Sequence, residues 1–497
     1  MKNRKKLLAA ALAAVTLSAT FLSCGEPNTP ATTTEPPATS DTTEVTEAEF
    51  VPTGEKYGGE FTILVSGKTP NSNFAFKTFD ETDTDRSTLD EAVYRRMKTV
   101  EELYGIKFNI IEDMGGENQA YTKLLTAATA ANNDYDAAVV AAYDAVPLAS
   151  ASALCELGGV ETIHLDKDRW DQRANEDLKI RGLMYFSTGD IDFWDDMQQN
   201  VVAFNKQVKR DLNIEDDFYE IVADGKWSLD KLAEYAKLAT EDLNSDSVMD
   251  MSDKFGIITW DDSIYAVFEG SGERVVTAAA DGSLELTLTG SERIVDVLSK
   301  YTDICFGGDA INYQRSPNTS QQAIEMFSGN RALFILGRLQ SLDNYRNMDT
   351  DYGILPYPKY EEAQSDYHTA ASPYHMTFFC IPASAADPEK SGAVLDALAY
   401  YGSELLTPAY YEKTLTGQYF RDEDSAATLE LMASTRAYDI GLYVQPANIN
   451  KQLIFLFREG SKSFASTFDS YADAAKKALE TLDMTFALAA EERNAEK

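Results

Sequence analysis

The stretch 60–141 alternates between strand-like and helix-like patterns, and this alternation constrains the fold more than any other feature. The strand-like runs are short and apolar, whereas apolar residues between them recur at helical spacing. Strands are predicted over 60–65, 106–111 and 136–141, and helices over 88–104 and 118–131. Strand, helix, strand, helix, strand implies right-handed crossovers and a parallel sheet.

Ligands of such a sheet bind beyond the carboxyl ends of its strands. Ser66 follows the first predicted strand, and Tyr143 and Asp144 follow the third. Their position, not their residue type, makes these three residues candidates for a ligand site.

The mixed pattern continues to the C-terminus. Ser228 is the expected N-cap of one later helix, because its hydroxyl can accept from a free backbone N–H. Further helices are predicted over 229–240, 292–301, 391–401 and 463–490, and further strands over 201–205, 255–259, 333–336 and 376–381. About 440 globular residues are too many for one core, so two lobes are expected.

The N-terminus has the order of an export signal. A basic start and the uncharged run 7–23 precede Cys24. This order resembles a bacterial lipoprotein signal over 1–23, in which Cys24 would be lipidated and anchor the protein outside the cytoplasm, although Phe21 stands where Leu is usual. The alternative is an uncleaved N-terminal membrane helix. The Thr/Pro-rich segment 24–56 is expected to be a tether.

Charge and cysteine content narrow the class of protein. The chain has 81 acidic and 44 basic residues and a net charge of −37. Nucleic acid is therefore not an expected partner, because phosphate binding needs a basic face. Apart from Cys24, three widely spaced cysteines remain, which predicts buried free thiols rather than a disulfide framework.

Five scattered motifs resemble one known family. They are YGIKF (104–108), DYDAAV (134–139), GKWSLD (225–230), FSGNRALF (327–334) and YGILPYPK (352–359). In this order they resemble the extracellular solute-binding proteins of family 1, the receptors of ABC sugar importers. The matches are spread over 58–439.

The resemblance implies an α/β, two-lobed fold like that of the type II periplasmic binding proteins. Each lobe would hold a mainly parallel sheet, with the ligand cleft between the lobes. We expect 57–185 plus 318–372 to form lobe 1, and 186–317 plus 373–497 to form lobe 2. The family has no catalytic residues, so a monomeric receptor is implied that binds a carbohydrate, an oligosaccharide, and passes it to the permease subunits of an ABC transporter.

Carbohydrate sites place aromatic faces against sugar C–H faces, and polar side chains against hydroxyls. The family resemblance therefore selects aromatic and polar residues near the expected chain crossings and strand ends. They are Asp192, Trp194, Trp260, Tyr265, Arg338, Tyr374 and His375, together with Tyr143, Asp144 and Ser66. Each aromatic residue has a packing role as its alternative. Trp227 is assigned to packing, because it precedes a capped helix.

A twelve-residue loop follows the helix predicted to end near Thr240. Its ligand positions match the spacing of a calcium loop. They are occupied by Asp242, Asn244, Asp246, Val248, Asp250 and Asp253. Ser247 replaces the usual Gly and Asp253 the usual Glu, so the alternatives are a structural Ca²⁺ site and an Asx-rich turn. No other cofactor is expected.

Two other functions fit the same sequence. A lipid-anchored glycan hydrolase would need two carboxylates across a cleft, which an acidic chain cannot exclude. The three histidines lie in no zinc-protease motif, and no G-x-S-x-G elbow occurs. A surface or sensory receptor that binds glycan without transport is the other alternative.

Overall fold

The computed structural model describes residues 50–66, 79, 88–113, 119–413 and 423–496. The expected export signal, the lipidation site Cys24 and most of the expected tether lie outside the described residues. The described chain folds into two lobes, each built on its own sheet.

The strands alternate with helices along most of the chain. The strands are β1 (Glu60–Ser66), β2 (Lys107–Asp113), β3 (Ala137–Ala141), β4 (Asn200–Asn205), β5 (Phe255–Thr259), β6 (Val276–Ala278), β7 (Leu284–Leu286), β8 (Ala310–Asn312), β9 (Ala332–Arg338), β10 (Tyr352–Leu355), β11 (Thr369–Ala370), β12 (Thr377–Cys380) and β13 (Arg436–Ala437). The α-helices are α1 (Thr88–Tyr104), α2 (Gln119–Ala130), α3 (Ala142–Ser150), α4 (Gln172–Asp177), α5 (Trp194–Met197), α6 (Lys206–Asp211), α7 (Phe218–Ala223), α8 (Leu229–Ala239), α9 (Ser263–Gly270), α10 (Glu292–Phe306), α11 (Ser320–Ser328), α12 (Pro388–Tyr401), α13 (Thr407–Lys413), α14 (Glu423–Ser434), α15 (Ile440–Val444), α16 (Lys451–Glu459) and α17 (Phe464–Glu496).

The first lobe contains the sheet β12-β3-β1-β2. Strand β1 pairs in parallel with both β2 and β3, as the alternating pattern predicts. Gly105 directly follows α1, and its φ of +67° suits a residue without a Cβ. The chain can then turn directly into β2.

The second lobe contains the sheet β10-β4-β9-β5-β8. Strand β5 is parallel to β8 and β9, whereas β4 is antiparallel to β9 and β10. In the first lobe, β12 is likewise antiparallel to β3. Both sheets are therefore mixed.

The expected lobe boundaries differ from the observed strand pairing. Strands β9 and β10 lie in 318–372, which was expected in lobe 1, yet both pair in the second sheet. Strand β12 lies in 373–497, which was expected in lobe 2, yet it pairs with β3 in the first. These assignments were wrong because a short apolar strand carries no information about which sheet it joins.

The helix α8 shows how local sequence and core are connected. The Ser228 hydroxyl accepts from Lys231 N and caps the helix, as predicted. The preceding Trp227 is fully buried among the second lobe's apolar residues, and its indole Nε1 donates to Pro356 O at 2.9 Å. Trp227 therefore packs the core, as expected.

The three described cysteines are free: Cys305 and Cys380 are buried, and Cys155 is partly buried. Among the described residues, no helix combines the length and the apolar character that a membrane crossing requires.

Candidate functional site

A cleft of about 880 Å³ lies between the two lobes. Helices α2 and α3 form its first-lobe wall, and α3 directly follows β3. The segments that follow β5 and β8 form its second-lobe wall. Residues before β12 and on α15 and α16 complete it. The lining consists of Tyr121, Tyr143, Asp144, Pro147, Trp260, Asp262, Tyr265, Gln314, Tyr374, His375, Tyr443, Val444, Gln445, Lys451, Ile454, Phe455 and Arg458.

The position of the cleft follows from sheet topology. Strand β3 in the first lobe and the parallel strands β5 and β8 in the second all direct their carboxyl ends toward it. Open α/β sheets bind ligands beyond these strand ends.

Aromatic side chains line both walls. The Tyr143 and Tyr374 rings meet edge to face with centroids 6.4 Å apart. Trp260 lies under the Arg338 guanidinium, whose carbon is 5.6 Å from the ring centroid. Phe455, on α16, keeps 48% of its surface exposed. An exposed aromatic face of this size next to polar groups suits an amphipathic ligand.

Carboxylates and cations both occur in the lining, beside the aromatic residues. Asp144 is buried on the first-lobe side. On the second-lobe side Asp262 is partly buried, and burial raises the pKa of its carboxyl to about 6 although Arg338 and Arg458 oppose the shift. Lys451 and Arg458 are exposed. The cleft therefore offers both acceptors and donors to a ligand.

His375 contributes a neutral imidazole. Burial, together with the charge of Arg338, lowers the pKa of this ring to about 2. Its backbone carbonyl accepts from the Trp194 indole Nε1 at 2.8 Å, and its Nδ1 is buried without a hydrogen-bond partner. The uncharged ring therefore lines the cleft while its Nδ1 keeps an unmet hydrogen-bonding capacity.

Six of the ten candidate ligand residues line this cleft: Tyr143, Asp144, Trp260, Tyr265, Tyr374 and His375. Their contacts with a ligand stay a prediction.

Asp192 and Trp194 do not line the cleft, although the sequence placed them among its candidates. Asp192 is 1% exposed and lies near the buried Arg96, and burial raises the pKa of its carboxyl to about 7. Trp194 is 4% exposed and packs in the first lobe's core. Their assignment to the ligand site was wrong because the residues that bury the segment 190–196, Arg96 and Arg436, lie far away in sequence.

Arg338 and Ser66 also lie outside the lining. Arg338 is one layer behind it, stacked on Trp260, and its Nη1 donates to Gln198 Oε1. Ser66 is buried at the end of β1, opposite Asp113 of β2.

The sequence interpretation missed the C-terminal contributions to the cleft. Tyr443 lies on α15, and Lys451, Phe455 and Arg458 lie on α16. The segment KQLIFLFRE contains aromatic and basic residues together, and this composition was the sequence signal that could have pointed to a ligand site. Its pattern reads equally well as an ordinary amphipathic surface helix.

The suggested calcium loop is closed by its own side chains. Ser247, at the usual Gly position, has a φ of +66°. Asp242 accepts from Ser245 N and Ser247 N, and buried Asp253 accepts from Leu243 N and Asp250 N at 2.9 and 3.0 Å. In the described part of the chain, no group of three or more His, Cys, Asp or Glu residues is arranged to hold a metal ion. The calcium site stays a prediction.

Fold and cleft together define a two-lobed α/β protein with its candidate site between the lobes. No protein-family model and no curated protein matches the sequence. Solved structures do resemble the fold.

An ABC substrate-binding protein of Listeria monocytogenes in complex with cycloalternan is 14% identical, with a TM-score of 0.53 over 86% of this chain and 99% of that one. The galacto-N-biose/lacto-N-biose I-binding protein of an ABC transporter of Bifidobacterium longum, in complex with lacto-N-biose, is 11% identical, with a TM-score of 0.56 over 85% and 97%. A sugar transporter protein of Rhizobium etli in an open conformation is 12% identical, with a TM-score of 0.58 over 84% and 99%.

These likenesses cover nearly the whole length of each solved chain. They confirm the predicted fold class.

Proposed function

We propose that this protein is an extracytoplasmic receptor that captures a carbohydrate, an oligosaccharide, and delivers it to an ABC importer. It binds its ligand without chemical conversion. The observation that carries the proposal is the interlobe cleft, where aromatic rings and hydrogen-bonding side chains from both lobes face one space of about 880 Å³. That volume lies within the range of small-molecule sites and accommodates several sugar rings.

Contacts from both lobes support a trap-like mechanism. Tyr143 and Asp144 come from the first lobe, whereas Trp260, Asp262 and Gln314 come from the second. A ligand shifts an open–closed equilibrium only when it binds the two states differently. A ligand that touches both walls in the closed state meets this condition.

The lipid anchor and the tether complete the proposal from sequence. Lipidation at Cys24 would hold the receptor at the membrane, and the Thr/Pro-rich segment 24–56 would give it reach. Tethering raises the local concentration of receptor near its permease. Mass spectrometry of the mature N-terminus tests this part: a diacylated Cys24 supports it, and an intact Met1 contradicts it.

A thermal-shift panel tests the binding function. Maltotriose, maltotetraose, lacto-N-biose and cycloalternan are suitable probes, because solved proteins of this fold are bound to them. We expect at least one glycan to raise the Tm, since a ligand at about 100 times its Kd adds about 2.7 kcal/mol to the unfolding free energy. A panel in which no sugar but a peptide or a metal chelate raises the Tm would contradict the proposal.

Transport is separated from sensing by an uptake assay. Deletion of the gene should abolish import of the bound glycan if the receptor serves a permease. Unchanged import would favour the surface or sensory receptor.

The calcium loop is tested by calorimetry of chelator-stripped protein. A structural site predicts heat on addition of Ca²⁺ and a higher Tm, whereas an Asx-rich turn predicts neither.

A further inference from the structure

Asp261 lies directly behind the second-lobe wall of the cleft. It follows β5, is 5% exposed, and is not part of the lining. Its two carboxylate oxygens have different partners. Oδ1 accepts from Asn312 Nδ2 at 2.9 Å, and Oδ2 accepts from Arg458 Nε.

The backbone of Asp261 holds a third group. Its N–H donates to Gln314 Oε1 at 2.7 Å, and Gln314 N in turn donates to Asn312 Oδ1 at 2.8 Å. Asp261 therefore connects three separate elements: the end of β5, the turn after β8, and α16. Two of the side chains that it fixes, Gln314 and Arg458, line the cleft.

These hydrogen bonds decide which atoms remain for a ligand. The Gln314 amide oxygen and the Arg458 Nε have these partners, so the Gln314 NH₂ group and the Arg458 Nη groups are the atoms that remain for a ligand. The Arg458 side chain is 51% exposed, and without a partner it would sample many rotamers. The carboxylate holds it in one orientation before the ligand arrives.

We propose that Asp261 is a positioning residue for ligand recognition: it presets Gln314 and Arg458 as hydrogen-bond donors on the second-lobe wall. This inference rests on the proposed function. Donors fixed in place match the hydroxyl and ring oxygens of a glycan, and preorganisation lowers the entropy lost on binding.

The experiment is a double-mutant cycle read by isothermal titration calorimetry. The variants are Asp261→Asn, Arg458→Gln and the double variant, and the probe is whichever of maltotriose, maltotetraose, lacto-N-biose and cycloalternan binds the unmodified protein most tightly. We expect Asp261→Asn to raise the Kd about ten-fold or more, as for loss of a charged hydrogen bond. In the Arg458→Gln background, Asp261→Asn should raise the Kd clearly less, because the guanidinium that Asp261 positions is already gone.

Asp303→Asn is the matched control. Asp303 pairs with Lys462 at 2.8 Å on the surface of the second lobe, away from the cleft lining. We expect the Kd of the Asp303→Asn variant for the same glycan to stay within about two-fold of the Kd of the unmodified protein.

Each outcome separates the two claims. An Asp261→Asn variant with a lower Tm but an unchanged Kd would show a purely structural role and overturn the inference. The inference would also be overturned if the effects of Asp261→Asn and Arg458→Gln on the binding free energy were additive in the double variant. If no glycan but a peptide or a metal chelate binds the unmodified protein, the proposed function fails before any variant is compared, and the inference fails with it.

Discussion

At the scale of single residues, Arg436 explains why the acidic loop 190–196 is buried. Its side chain is 1% exposed and forms ion pairs with Asp195, Asp196 and, at 2.7 Å, Asp171. Asp196 also accepts from the Tyr411 hydroxyl. Burying several carboxylates is tolerable only when a cation and further hydrogen bonds compensate them.

Removal of this cation should be strongly destabilising. We expect Arg436→Met to lower the free energy of unfolding by about 3–5 kcal/mol, because three buried carboxylates lose their counter-ion. Urea denaturation measures the change. The control is Arg346→Ala, which breaks an exposed pair with Asp343 and should cost about 1 kcal/mol or less. Equal effects of the two substitutions would contradict this account.

Asp262 should give the cleft a defined pH response. Its folded-state pKa of about 6 lies above the usual value of about 4, so the folded protein keeps a proton that the unfolded chain loses between these values. The stability that Asp262 contributes is therefore complete below about pH 4 and is lost as the pH rises through about 6.

The neutral variant Asp262→Asn should remove this dependence. We expect the difference between the Tm of Asp262→Asn and the Tm of the unmodified protein to be more positive at pH 7.5 than at pH 4. Asp192 and Asp439 have raised pKa values of about 7 and about 6, but they titrate in both proteins and cancel in the difference. Scanning calorimetry at the two pH values makes the comparison, and an identical Tm difference at both would contradict the prediction.

At the scale of elements, the connection between α15 and α16 is strained. Gln445, Ala447 and Asn448 have φ values of +49°, +48° and +57°, in the left-handed region that side chains disfavour. On one side Tyr443 packs on Phe378 of the first lobe, with ring centroids 5.2 Å apart. On the other side Phe457 stacks on Tyr301 of the second lobe, at 5.3 Å. The strained segment thus connects elements packed on different lobes, beside the cleft.

Glycine at position 447 should relieve part of the strain. We expect Ala447→Gly to raise the free energy of unfolding by about 1 kcal/mol, because glycine adopts a positive φ without a Cβ clash. Ala474→Gly, at an exposed position inside α17, is the control and should lower it by about 1 kcal/mol. Urea denaturation measures both. A loss of stability in both variants would show that the connection is not strained.

The elements that sequence predicts well are those with local causes. Strands β1 to β3 follow from apolar runs, and α8 follows from its cap Ser228 and its apolar face. Tyr143 was placed beside the cleft by topology alone. The rest depends on distant partners: Arg436 lies about 240 residues from the loop that it neutralises, and α16 reaches the cleft only through tertiary packing. Neither relation leaves a periodic signal in the chain.

At the scale of the whole molecule, the cleft is assembled from segments spread over most of the described chain. Its lining runs from Tyr121 on α2 to Arg458 on α16. Relative motion of the lobes would therefore change the spacing between the two sets of lining residues. A trap needs this arrangement, because neither lobe can enclose a ligand alone.

The central claim is that this cleft binds a glycan, and calorimetric titration of a cleft variant tests it most directly. Tyr374→Ala removes a partly exposed ring from the lining, whereas Tyr360→Ala removes a partly exposed ring that lies away from it, next to Arg293 and Lys300. With the tightest glycan of the panel, we predict a Kd about ten-fold or more higher for Tyr374→Ala and unchanged for Tyr360→Ala, because aromatic residues in the centre of a site carry much of its binding energy. Equal affinity of Tyr374→Ala and the unmodified protein would contradict the assignment of the cleft as the glycan site.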